Sequence, residues 1–71
     1  MIKFSKKDNG GIKVYDANGD FSGGMYYMLR IVKVGNRNWE LLGFRPGGKA
    51  EFLAGECNKS DCEEVANRCF Y

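Results

Sequence analysis

The stretch from Met25 to Phe44 constrains this chain more than any other. It reads as two apolar strands, Met25–Val34 and Trp39–Phe44, joined by the polar loop Gly35-Asn36-Arg37-Asn38. β-Branched and aromatic residues bounded by such a break predict a hairpin. Pairing Val34 with Trp39 sets Val32 opposite Leu41, Ile31 opposite Leu42 and Leu29 opposite Phe44. It also places Lys33 across from Glu40, a favourable charge pair. A one-residue slip would carry every side chain to the other face, so this cross-strand agreement selects the register. Both faces of the hairpin are apolar, and both therefore need cover.

The rest of the chain supplies limited cover. Ile2–Lys7 and Ile12–Asp16 alternate around Asp8-Asn9-Gly10-Gly11, which predicts an N-terminal hairpin. A two-residue Asn9-Gly10 turn would set Lys6 against Lys13 and Ser5 against Val14. A three-residue loop with one left-handed glycine instead gathers Phe4, Lys6, Ile12 and Val14 on one face, and is the expected register. Ala17–Gly24 reads as loop, with Asn18-Gly19 as its turn and Gly23-Gly24 as the entry to the central strand. Arg45-Pro46-Gly47-Gly48 reads as a tight turn, after which Lys49–Ala54 returns as a fifth strand. Phe52 then lies opposite Leu41 and Ala54 opposite Trp39, giving one face of Val32, Val34, Trp39, Leu41, Phe52 and Ala54.

Gly55–Lys59 is a connector, and a helix is expected from Ser60. Ser60 and Glu63 form a capping-box pattern, with Asp61, Glu63 and Glu64 at the positive end of the helix dipole and Arg68 near the other. Cys62, Val65, Ala66, Cys69 and Phe70 recur at helical spacing as one apolar stripe. The expected fold class is α+β: an antiparallel sheet of about five strands, open or curled toward a small barrel, followed by one C-terminal helix in the order β-β-β-β-β-α. Residues 1–71 form one small domain in this reading. Such a helix is only ~16 Å long and covers part of one sheet face. Sheet curvature or a partner, a second copy included, must close the other.

Charge is uneven although the net value is only +2. Lys3, Lys6, Lys7 and Lys13 make the N-terminal part basic, and Arg30, Lys33, Arg37, Arg45 and Lys49 do the same for the central part. From Ala50 onward Glu51, Glu56, Asp61, Glu63 and Glu64 outweigh Lys59 and Arg68. A basic sheet is thus backed by an acidic helix. No apolar run approaches the length of a membrane span or a signal peptide, and a cytoplasmic location is expected.

Several chemistries are disfavoured. The chain has no histidine, so the usual general base is missing, as are most nucleophile pairings. Its three cysteines, Cys57, Cys62 and Cys69, are an odd set without a zinc-site pattern and read as reduced thiols, although a bridge from Cys57 to Cys62 or Cys69 is sterically open. Cys62 stands near a helix start, a position that lowers a thiol pKa. Asp16-Ala17-Asn18-Gly19-Asp20 opens like a calcium loop but places Phe21 where glycine is required, and a plain turn explains it better. The glycine pairs lack the Lys-Ser/Thr that would follow in a phosphate loop. No catalytic residue, metal or cofactor is expected.

A binding protein is the expectation that remains. Tyr26, Tyr27, Arg30, Arg37, Trp39 and Arg45 are the expected partner contacts, because Tyr, Trp and Arg dominate interface hot spots. A small inhibitor or adaptor of the kind carried by phages and mobile elements fits this profile, with a macromolecular protein partner. The alternative is nucleic-acid binding on the same sheet through Lys6, Lys13, Arg30, Lys33 and Arg37, with interleaved aromatics as stacking platforms.

Overall fold

A computed structural model describes residues 1–8 and 10–70 of the chain. Five strands precede one helix: β1 Ser5–Lys6, β2 Val14–Phe21, β3 Tyr26–Gly35, β4 Asn38–Phe44, β5 Ala50–Glu56, then α1 Lys59–Phe70. Each strand pairs antiparallel with its neighbours in sequence, so the sheet is a meander in the order β1-β2-β3-β4-β5. β1 and β5 are free edges and the sheet is open. The class and element order match the sequence reading. No helix among the described residues is long and apolar enough to cross a membrane.

The register of the central hairpin differs from expectation by one residue. Lys33 lies opposite Trp39, Val32 opposite Glu40, Ile31 opposite Leu41, Leu29 opposite Gly43 and Met28 opposite Phe44. The turn is the cause. Gly35 pairs with Asn38 around Asn36-Arg37, Arg37 adopts a φ of 57°, and the ladder then shifts between Lys33 and Gly35. Val34 is the extra residue and is left exposed. A bulge of this kind inserts a residue into one strand without altering the apolar pattern on either side. The slip is favourable because it brings Leu29, Ile31 and Leu41, all fully buried, to one side of the sheet. Lys33 loses its expected partner Glu40 and instead sits 6.0 Å from the Trp39 ring centroid.

The neighbouring registers are corrected for similar reasons. In β4–β5, Ala54 faces Leu41 and Phe52 faces Leu42, with a shift that leaves Leu53 unmatched between them. In β1–β2, Ser5 faces Asp16 and Lys6 faces Tyr15. Gly10 and Gly11 adopt left-handed φ of 60° and 85° in the connection, and the pairing of Lys6 with Tyr15 excludes the register expected of a three-residue loop. Asn9, part of that expected turn, lies outside the described residues. Phe4 and Lys6 thereby share a side with Tyr15 and Ala17, not with Val14. Of the expected loop Ala17–Gly24, the part Ala17–Phe21, including Asn18-Gly19, is instead the second half of β2. Glycine is needed at position 19 because a Cβ there would come within 2.8 Å of the Phe21 ring. The turn falls later, where Gly24 N–H donates to Phe21 O at 3.2 Å.

Helix α1 lies on one side of this sheet. Its cap is Asn58, not Ser60: Asn58 Oδ1 accepts from Asp61 N–H at 2.8 Å and from Ser60 Oγ at 2.9 Å. Glu63 turns to Lys59, 3.1 Å away and one turn earlier, instead of closing a capping box. Cys62 and Ala66 are fully buried against Ala17, Leu29, Ile31 and Leu41, with Val65 and Phe70 half-buried beside them. Cys69, expected in that stripe, is exposed. Tyr26 meets the Phe70 ring edge-on at 5.8 Å, closing the far end of the core. Ile2 N–H donates to Asn67 Oδ1 at 2.7 Å and ties the start of the chain to the helix.

Candidate docking face

Cross-strand pairing arranges the side away from α1 in three rows. Asp16, Arg30, Leu42 and Phe52 form the middle row; Val14, Val32 and Glu40 form one flank, and Asn18, Met28, Phe44 and Ala50 the other. None of these residues belongs to the helix-side core. Val14 and Asp16 are buried, and Met28, Val32, Leu42 and Phe44 are half-buried, but Phe52 is 60% exposed. The middle row and the Met28 row are graded, polar in β2 and apolar in β4 and β5, whereas the remaining row runs from Val14 to Glu40.

One ion pair lies within it. Arg30 Nε donates to Asp16 Oδ1 at 2.7 Å and Nη2 to Oδ2 at 3.0 Å, a bidentate fork. The guanidinium also lies 5.0 Å from the Phe44 ring centroid. The hydrogen bond to Asp16 holds Arg30 above its ordinary pKa against the opposing effect of burial. The pair cancels its own charge, and Glu40 is the charge of the three rows that makes no ion pair among the described residues.

The six contacts expected from sequence are dispersed. Arg30 alone sits in the rows just described. Tyr26 is buried on the helix side, and its hydroxyl donates to Glu51 Oε1 at 2.6 Å. Arg45 Nε donates to Glu51 Oε2 at 2.7 Å, with its guanidinium 5.7 Å from the Tyr26 ring centroid. Hydrogen bonds from Arg45 and, next, Tyr26 hold the Glu51 carboxyl below the usual range, while the bond to Glu51 is the main cause raising the Tyr26 phenol. Trp39 is half-buried on the helix side, its ring 6.3 Å from that of Tyr15. Tyr27 is exposed early in β3, and Arg37 is exposed in the β3–β4 turn.

The residues of the nucleic-acid alternative divide in two. Lys6 pairs with Asp8 at 3.3 Å and Arg30 with Asp16. Lys13, Lys33 and Arg37 form no ion pair among the described residues, and they gather at one end of the sheet, where Lys33 N–H donates to Lys13 O at 3.0 Å. A groove of about 340 Å³ opens there beside Ile12 and Val34. A larger one of about 560 Å³ lies between Met1, Ile2 and the helix residues Glu63, Asn67 and Arg68. Glu40, Glu51 and Cys62 line neither groove. Burial, reinforced by Glu56, Asp61 and Glu63, pushes the Cys62 thiol up to about 11, reversing the direction expected from its place near a helix start. All three cysteines are free.

Sequence reasoning passed over Val32, Leu42, Phe44 and Phe52 because apolar residues read as core. Their signal is adjacency: Ile31-Val32 and Leu41-Leu42 put one apolar residue on each face, and one short helix can cover only the first of each pair. Comparison of the chain with known protein families, characterised proteins and solved structures finds no match.

Proposed function

We propose that this chain is a non-enzymatic cytoplasmic binding protein that works by protein–protein contact, as a small inhibitor or adaptor, with the open sheet face as its docking surface. The observation that carries this reading is the apolar area α1 leaves uncovered: Phe52 at 60% exposure, opposite half-buried Leu42 and diagonal to half-buried Phe44. Apolar surface concentrated on one side of so small a protein marks a contact site. The Arg30–Asp16 pair, satisfied within the chain, presents its polar groups beside the apolar Leu42, Phe44 and Phe52 without requiring an ionic partner of its own. Phe52→Lys tests the reading, since an exposed position tolerates the change without loss of the fold. A partner held by the wild-type chain and released by this variant supports docking at the face; equal retention places the contact elsewhere.

A second reading, nucleic-acid binding, draws on the ion-pair-free cluster of Lys13, Lys33 and Arg37 next to Trp39. It predicts salt-sensitive binding of short single- or double-stranded nucleic acid that is lost when those three become Ala and untouched by Phe52→Lys. The protein-contact reading predicts no affinity at low salt.

A further inference from the structure

We infer that the occupant of the open face is a second copy of this chain, packed sheet on sheet about a two-fold axis. The inference rests on the reading of that face as a docking surface. Its first support is self-complementarity. Consider a two-fold axis in the plane of the interface, perpendicular to the strands, passing between the row of Arg30 and the row of Met28. It lays each strand over its own counterpart, so the polar β1–β2 side meets the same polar side and the apolar β4–β5 side meets the same apolar side. Leu42 falls on the partner's Phe44, Phe52 on the partner's Ala50, and Asp16 on the partner's Asn18. Arg30 falls on the partner's Met28 while keeping its own Asp16, so no charge meets a like charge. Twisted sheets packed in this way cross at about 30°, the aligned geometry of a sandwich.

The second support is area. Five strands about 4.8 Å apart, with about seven residues at 3.3 Å each, offer roughly 500 Å² in plan. Two copies bury about 1,000 Å² together, where specific interfaces begin. The contact is therefore adequate for a dimer of modest affinity and needs the whole face.

Sedimentation or light scattering from low micromolar to millimolar concentration tests this. Wild type dimerises with rising concentration. Phe52→Lys raises the dissociation constant about a hundredfold or more, because the two-fold axis counts the substitution twice. Leu42→Lys and Phe44→Glu each weaken the dimer, and the double variant regains it, since each new lysine meets the partner's new glutamate. Far-UV circular dichroism establishes that every variant keeps its fold. A chain that stays monomeric throughout overturns the inference. Binding of an apolar dye that is lost in Phe52→Lys then leaves the docking face standing for another occupant, whereas no dye binding removes both readings. A dimer indifferent to Phe52→Lys and Leu42→Lys also overturns the inference, placing the contact elsewhere, as at the free edge of β5.

Discussion

Leu41 and Leu42 are neighbours in β4, yet they occupy opposite worlds. Leu41 points at α1, is fully buried, and packs with Leu29, Ile31, Cys62 and Ala66. Leu42 points the other way, half-buried beside Arg30 and Phe52 on a side that no element among the described residues covers. The difference comes from the amount of cover, not from composition, because both sides of the strand are apolar. It teaches that one side of the sheet holds the molecule together while the other is available for contact. The largest expected effect follows from this pair. Leu41→Ala removes a fully buried side chain and should cost about 2–5 kcal/mol in denaturant unfolding. Leu42→Ala should cost about 1 kcal/mol or less at low protein concentration. Equal losses would erase the distinction between the two sides.

Gly43 sharpens the comparison from within the covered side. A Cβ at this position would lie 2.7 Å from the Tyr26 ring and 3.0 Å from Leu53, so the ring must move. Gly43→Ala should destabilise by about 1–3 kcal/mol through overpacking. Tyr26→Leu, which removes the ring, should recover part of that loss in the double variant. Two additive losses would show that the ring is not what the methyl group meets.

Cover itself can be loosened through its cap. Asn58→Ala should cost about 1 kcal/mol, because the amide of Asp61 loses its acceptor. Ser60→Ala should cost less, since Ser60 donates to Asn58 and caps nothing itself. The reverse order, measured by thermal unfolding, would restore the cap to Ser60.

How much of this was legible in the chain follows from the same residues. Element order came from patterns repeated over many positions: alternation in Ile2–Lys7 and Ile12–Asp16, the two apolar runs of the central hairpin, the turn at Pro46-Gly47, and the helical spacing of Cys62, Val65, Ala66 and Phe70. Register turned on single residues. Val34 and Leu53 are extra residues that displace every pairing beyond them, and alternation reads the same on both sides of a bulge. A residue scale that favours Tyr, Trp and Arg picks out Tyr26 and Trp39, but Tyr26 packs on Phe70 of the helix and Trp39 shares the side of Leu41 by simple alternation, so both lie on the covered side. Arg30 survived as a member of the open face because the pairing across β2 gives it Asp16. The apolar members were visible only as adjacent pairs, and those show that both faces are apolar without saying which one the helix takes.

The smallest effect lies at the rim, where Tyr26 reaches Glu51 from the covered side. Glu51 is held below its ordinary carboxylate value of 4.5, chiefly by Arg45 and then by Tyr26. Its contribution to stability is therefore present above that value and lost as pH falls through the lower, folded value. Tyr26 is raised above 10.0, first by the bond to Glu51, so its contribution holds below 10.0 and fades as pH rises through the folded value. Glu51→Gln should flatten both limbs of the stability–pH curve. Tyr26→Phe should flatten the alkaline limb and leave most of the acid limb, because Arg45 is the larger influence on Glu51. Both changes should shrink in high salt, as expected for an exposed pair. An acid limb that disappears in Tyr26→Phe would make the buried phenol, not the exposed guanidinium, the group that sets the charge of Glu51.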